Sequence, residues 1–234
     1  AQSLGHSLTP LAASLTSFSC KEEWVKELSG VSLEKVKMKI IGKEKHEFSG
    51  ALLFTHKGIS GPGVFALSAL SAYEECNKEK PLSVYLDFVE NKNYDQLFAE
   101  LMKRIQENPQ KNLQHNLGGF VPKSLVAMLL KVLDIDAGKK SSEVGKKNLN
   151  RIVEALKNLE LKLTERTPGA EIVTAGGIDL QEVDNKTMES KICPGLYFGG
   201  ELLDIDGFTG GYNLQVAWCT GRLIGKVLSQ HISS

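Results

Sequence analysis

No apolar run in this sequence approaches the roughly 18–20 residues that a membrane-spanning helix requires, so no helical membrane anchor is expected. Cysteine is scarce: Cys20, Cys76, Cys193 and Cys219 are scattered without a CxxC pair, and the five histidines are equally dispersed. That pattern excludes a zinc site or disulfide frame built on a local motif. It fits buried thiols in a reducing compartment, hence a cytoplasmic location. No signal peptide is evident. An excess of charge is missing too, with 28 Lys and Arg against 28 Asp and Glu. Zero net charge, without a basic stretch studded with aromatics, argues against a nucleic-acid partner. Repeats and low-complexity segments are absent.

What remains is 234 residues, 41% hydrophobic and 24% charged, enough for one large domain or two modest ones with a real core. The first residue is Ala1, and Ala1–Leu15 reads as the tail of a helix running into a loop, which suggests a fragment. Val31–Ile41 alternates apolar and charged residues and predicts a half-buried antiparallel strand; His46–Thr55 resumes it after a polar turn. Next comes Thr55-His56-Lys-Gly58-Ile-Ser60-Gly61-Pro62, with Ser60 as helix N-cap and a helix from Pro62. These glycines either make only a strand-to-helix turn, or His56 and the helix start face a ligand. Pro81–Phe88 reads as a further strand.

From Tyr94 to Leu159 the period becomes helical, with helices near Tyr94–Glu107, Lys123–Leu133 and Lys147–Leu159. Lys139–Lys147 is a basic, exposed connector. Its Gly138-Lys-Lys-Ser141 resembles the end of a phosphate-binding loop but lacks the upstream glycine, where Leu133 stands, so it is a solvated turn. Strands return at Leu159–Arg166 and Glu171–Thr174, with short extended pieces at Asp179–Glu182 and Met188–Lys191.

The C-terminal stretch carries most of the chemistry. An apolar run, Leu196–Phe198, enters a loop of glycines and acids, and Gly210-Gly211 then opens a helix to about Gln230. Free N–H groups and the positive helix end coincide there, which suits an anion or a carbonyl. Glu201, Asp204 and Asp206 do not make a calcium loop, since Leu202 and Asn213 fall where terminal ligands are required. One acid can instead accept from ligand hydroxyls; equally, the loop can be a polar cap of the next helix through Thr209 or Asn213. Thr174-Ala175-Gly176-Gly177 is a second glycine turn after a strand. A GxGxxG fingerprint between strand and helix, which would seat a dinucleotide pyrophosphate, does not occur anywhere in the sequence.

Several motifs in fixed order carry a resemblance across essentially the whole chain. They are Leu4-Gly-His6-Ser-Leu-Thr-Pro10, Gly50–Pro62, Thr174–Ile178, Lys186–Ser190, Pro194–Glu201 and Asp206–Asn213. The series resembles the bacterial NAD(P)/FAD-dependent flavoprotein oxidoreductases of the aminoacetone-oxidase type. The resemblance implies an α+β molecule in three parts. A β-rich, barrel-like inserted domain takes residues 31–90 and 157–166, a small helical subdomain 91–156, and the C-terminal remnant of a Rossmann-type FAD domain 1–30 and 167–234.

By the same resemblance, Thr174, Ala175, Gly176, Gly177, Gly200, Glu201, Gly210, Gly211, Tyr212 and Asn213 are cofactor-binding, with Glu201 on the ribityl chain. His56, Gly58, Ser60 and Gly61 would face the flavin from the substrate side, His56 being a candidate catalytic group. The implied function is hydride transfer between flavin and a small organic substrate or NAD(P)H, with no metal. The N-terminal FAD-binding segment with its GxGxxG would be the missing partner, leaving this chain alone inactive and without FAD. The alternative is a stable inserted recognition or interaction module with no catalysis of its own.

Overall fold

The computed structural model describes residues 1–232 and divides the chain into two compact units. Unit 2 comprises residues 17–67 and 74–167; unit 1 comprises 1–16, 68–73 and 168–234. Among the described residues no helix is long and apolar enough to cross a membrane, and no group of three or more His, Cys, Asp or Glu could hold a metal ion.

Unit 2 contains a closed barrel of six antiparallel strands: β2 (Phe18–Cys20), β3 (Ser32–Ile41), β4 (Lys45–Phe54), β5 (Gly58–Ser60), β6 (Leu82–Asp87) and β7 (Leu159–Arg166). Around the barrel their order is β2-β5-β4-β3-β6-β7, and β2 closes the ring by pairing with β7. The alternation in β3 has its physical cause in this closure: Val36, Met38 and Ile40 point inward and are fully buried, while Lys37 and Lys39 are half-exposed between them. A register shift between Leu33 and Val36 marks a bulge against β4.

Close approach of chains explains several glycines. A Cβ at Gly58 would lie 2.1 Å from the Phe18 carbonyl oxygen, and one at Gly50 would lie 2.8 Å from Gly63 Cα. Ser60 is the last residue of β5, opposite Leu53. Gly61, in the left-handed region at φ 105°, separates it from helix α1 (Pro62–Leu70), so Ser60 is not the residue next to that helix.

Between β6 and β7 the chain makes four helices, α2 (Tyr94–Glu107), α3 (Leu113–Leu117), α4 (Lys123–Val132) and α5 (Lys146–Lys157). Asn93 and Gln96 form a reciprocal capping box at the start of α2, and Asn112 caps α3. Leu97, Leu101 and Ile105 of α2 and Leu149, Ile152, Val153 and Leu156 of α5 share one buried cluster with the barrel interior.

The turn between β3 and β4 rests on a buried carboxylate. Glu74 accepts N–H groups of Lys43 at 2.8 Å and Glu44 at 3.0 Å, and lies 3.4 Å from His46 Nε2. Burial alone would push its carboxyl up, but these donors together outweigh burial and hold it below the ordinary glutamate value. The stability this supplies is present above the unfolded pKa of about 4.3 and is lost as pH falls through the lower folded value. Glu74→Ala leaves two turn N–H groups without their acceptor and is expected to cost about 1–3 kcal/mol at neutral pH. The variant's stability should also fall less steeply than the parent's below about pH 4.3; urea melts across that range would show it, and parallel pH profiles would refute it.

Unit 1 is built differently. Strand β1 (Ala12–Ser14) pairs antiparallel with β8 (Val173–Ala175) in a two-stranded sheet. The N-terminal stretch is a 3-10 turn, Gln2–Leu4, followed by β1, rather than the tail of a helix. Its small core gathers Ile178, Val183, Phe198 and Leu203. His6, 3% exposed, packs edge-on to Phe198 and lies 2.7 Å from Ser190 Oγ. That oxygen also accepts N–H groups of Ile192 and Cys193, so its own proton goes to His6 Nε2, leaving the imidazole proton on Nδ1. Helix α6 (Tyr212–Ile232) ends the described chain, with Leu214 and Trp218 exposed.

Candidate functional site

Unit 1 contains a largely apolar cavity of about 340 Å³ beneath the first turns of α6. Its walls include Leu15, Val173, Gly200, Glu201, Phe208 and Ala217, and Gly210, Gly211 and Asn213 also reach it. Of the candidate cofactor residues, Gly200, Glu201, Gly210, Gly211 and Asn213 are therefore brought together around one space. Thr174, Ala175, Gly176, Gly177 and Tyr212 do not line it. His56, Gly58, Ser60 and Gly61 lie in unit 2, with His56 exposed at the tip of the β4–β5 turn.

Each wall is held by a specific contact. Glu201 Oε1 accepts the Thr174 N–H at 2.8 Å, which anchors the short 3-10 turn Gly200–Leu202 to β8. Gly200, at φ 66°, donates its N–H to Thr220 Oγ1 on α6, and Thr220 in turn donates to the Val216 carbonyl. A Cβ on Gly200 would sit 3.5 Å from Ala217 Cβ. Asn213 spends both ends of its amide on Gly207: Oδ1 accepts the Gly207 N–H at 2.8 Å and Nδ2 donates to the Gly207 carbonyl at 2.9 Å. Its part is thus to fix the loop ahead of α6. Gly210 and Gly211 have φ of 128° and 84°, and a Cβ on Gly211 would meet only open space.

The other glycine turn serves chain packing. Gly176, at φ 87°, would place a Cβ 2.1 Å from the Pro10 carbonyl oxygen, and Gly177 would place one 2.6 Å from Leu203 C. Thr9 Oγ1 accepts the Gly177 N–H at 2.9 Å and donates to its carbonyl at 3.2 Å.

Leu15 was not a sequence candidate, yet it is 2% exposed, lines the cavity and has φ 50°. A non-glycine residue in the left-handed region is the kind of stored strain that gathers at ligand sites. No local signal marks it, because nothing in Ser14-Leu15-Thr16 asks for positive φ.

The residues fit part of a flavin dinucleotide. A cavity near the low end of the ~300–1,000 Å³ usual for small-ligand sites can take a flat apolar ring with one carboxylate at its wall, not a whole dinucleotide. A helix start with flexible glycines adds donors of the kind that stabilise an electron-rich edge.

Comparison with known proteins places the chain. A family described as HI0933-like protein barrel and H2TH domain matches residues 12–171, so the chain belongs to the HI0933-like family. It is 33% identical to a 3-dehydro-bile acid delta(4,6)-reductase of Clostridium scindens, over 98% of this chain and 56% of that protein. It is 35% identical to a ribosomal RNA dihydrouridine synthase of Haemophilus influenzae, over 98% and 55%. The Escherichia coli ribosomal RNA dihydrouridine synthase is 31% identical over 93% and 52%. The chain spans about half the length of these curated relatives, and their names are those of oxidoreductases.

Proposed function

We propose that the chain is part of an FAD-dependent oxidoreductase that adds two hydrogens across a carbon–carbon double bond conjugated to a carbonyl group. Both kinds of relative support the chemistry, since reducing an oxo-diene steroid and reducing uridine to dihydrouridine each saturate such a bond. The observation that carries the flavin reading is the cavity at the start of α6, with Glu201 and three positive-φ glycines on its walls.

When bound, the flavin would pass hydride from NAD(P)H to the substrate, which is chemistry the cofactor supplies. The chain's own residues would bind and orient. One oxygen of Glu201 is engaged by Thr174, which leaves the carboxylate able to accept from a ligand hydroxyl as well. N–H groups at Gly210 and Gly211 would stabilise negative charge on the ring edge. Leu15, Val173, Phe208 and Ala217 would keep water away.

The sequence contains no GxGxxG, so the pyrophosphate seat would lie in residues other than these 234. Accordingly, the purified chain is expected to carry far less than one equivalent of flavin, whereas a longer polypeptide with that fingerprint should be yellow and bleach on reduction. A colourless longer protein that remains so after incubation with FAD would overturn the flavin reading. A second reading, a recognition module without catalysis, is favoured by one feature: the barrel of unit 2 closes entirely on its own strands.

A further inference from the structure

The neutral total charge is the sum of two opposite parts. Unit 2 carries 24 Lys and Arg against 20 Asp and Glu, and unit 1 carries 4 against 8. The excess is concentrated in the helices, where residues 91–156 hold 11 basic groups against 7 acidic. Between residues 137 and 153 it is five against one.

Many lysines of unit 2 are already held by carboxylates, such as Lys26 by Glu23, Lys80 by Glu75, Lys103 by Glu107 and Lys131 by Glu27. Lys111, Lys140, Lys146 and Lys147 are different. All four are exposed, and none has an ion-pair partner among the described residues.

The fold sets Lys111 beside Lys140, and the loop that follows leads directly into the helix that starts with Lys146 and Lys147. Asn112 and Lys140 form an antiparallel bridge, and the Ser141 N–H donates to the Lys111 carbonyl at 2.8 Å. Beneath them the buried Asn116 donates through Nδ2 to Ser141 Oγ at 2.9 Å, which staples the Lys139–Ser142 loop to α3. The chain then enters α5, whose first two residues are Lys146 and Lys147 and whose first turn has no acid. Carboxylates are the stabilising choice at that end of a helix, so these lysines are placed against local stability. Lys146 Nζ lies 6.0 Å from the Phe98 ring centroid, and Phe98 stacks on Tyr94. Like-charged ammonium groups on a stapled loop, its bridged neighbour and the helix start that follows are suited to a polyanion with repeated charges, such as a phosphodiester backbone.

We infer that Lys111, Lys140, Lys146 and Lys147 form a docking surface for the phosphate backbone of an RNA substrate. The inference rests on the proposed reduction and names its substrate class, in the direction of the two relatives that are ribosomal RNA dihydrouridine synthases rather than of the bile acid reductase.

The test is fluorescence anisotropy of the purified chain with labelled ribosomal RNA fragments, titrated at several salt concentrations. Two variants are compared, each checked for parental circular dichroism. One replaces the four docking lysines by glutamine; the other replaces Lys26, Lys80, Lys103 and Lys131, an identical change in net charge. The docking variant should bind at least about tenfold more weakly and lose about 3–4 from the slope of log affinity against log salt, roughly one per lysine. The control should stay within about threefold of the parent. Absence of saturable binding by the parent, or equal losses in both variants, would overturn the inference. RNA binding needs no flavin, so a longer polypeptide that is yellow yet ignores RNA sinks this surface alone. A colourless one that binds RNA sinks only the flavin reading.

Discussion

Gly58→Ala is expected to leave the barrel of unit 2 largely unfolded. The added methyl would lie 2.1 Å from the Phe18 oxygen, 2.7 Å from the Cys20 nitrogen and 2.9 Å from Ser19 Cα, and all three are backbone atoms of the neighbouring strand β2. No side chain can swing aside, so the collision must be relieved by pushing β2 away from β5. Because β2 also pairs with β7, moving it opens the ring at its closing seam. A loss above about 4 kcal/mol is in the exceptional range for one substitution and approaches the whole stability of many domains. Gly221→Ala is the contrasting change, a helix position with nothing within 4 Å, expected to gain about 0.5–1 kcal/mol. Thermal melts of the two proteins would decide it: a Gly58→Ala midpoint within a few degrees of the parent refutes the close-packing account. Gly58 thus has a packing reason to be glycine whatever else it faces.

The second large effect concerns the cavity. Ala217→Trp puts an indole where a methyl now forms part of the wall, opposite Gly200. Ala217 is half-buried and lines the cavity, so α6 itself should persist. In a longer polypeptide that binds flavin as proposed, the flavin affinity is expected to fall by on the order of 100-fold, about 2.7 kcal/mol. Flavin titration followed by fluorescence quenching would measure it, with far-ultraviolet circular dichroism as the check on folding. Retention of a full equivalent of flavin by the variant would show that the cofactor ring is seated elsewhere.

The legible parts of the fold were those whose pattern is local and repeated. Strand β3 shows its inward face in Val36, Met38 and Ile40 because charged residues separate them, and α2 and α5 show theirs through regular three- and four-residue spacing. Strand β2 gave no such signal: it has only three residues, Phe18, Ser19 and Cys20, and all are buried, so no alternation exists to read. Helix α3 is five residues long, shorter than any window in which a period emerges. Asp179–Glu182 looked extended, but the Asp179 side chain accepts the Gln181 N–H and winds the next three residues into a 3-10 turn.

The same division holds for the site. Gly200, Glu201, Gly210 and Gly211 were visible as a dense cluster of glycines and acids. Leu15, Val173 and Ala217 were not, because a cavity wall assembled from three distant segments leaves no spacing behind. Net charge has a comparable limit: a total of zero says nothing about how the charges are distributed along the chain.

The closing pair of the barrel has a consequence during synthesis. Strands β2 to β6 have all left the ribosome by Asp87, but their last partner, β7, begins only at Leu159. At roughly 5–20 residues per second, translation of the intervening segment takes about 4–14 seconds. For that interval the nascent sheet has two bare edges, with unpaired N–H and C=O groups facing water and any neighbouring chain. The helices α2 to α5 are made during this delay, and their many local contacts let them fold before β7 arrives. Slow release of β7, or its truncation, should therefore expose the protein to edge-to-edge association at the one stage when its most self-contained part is still open.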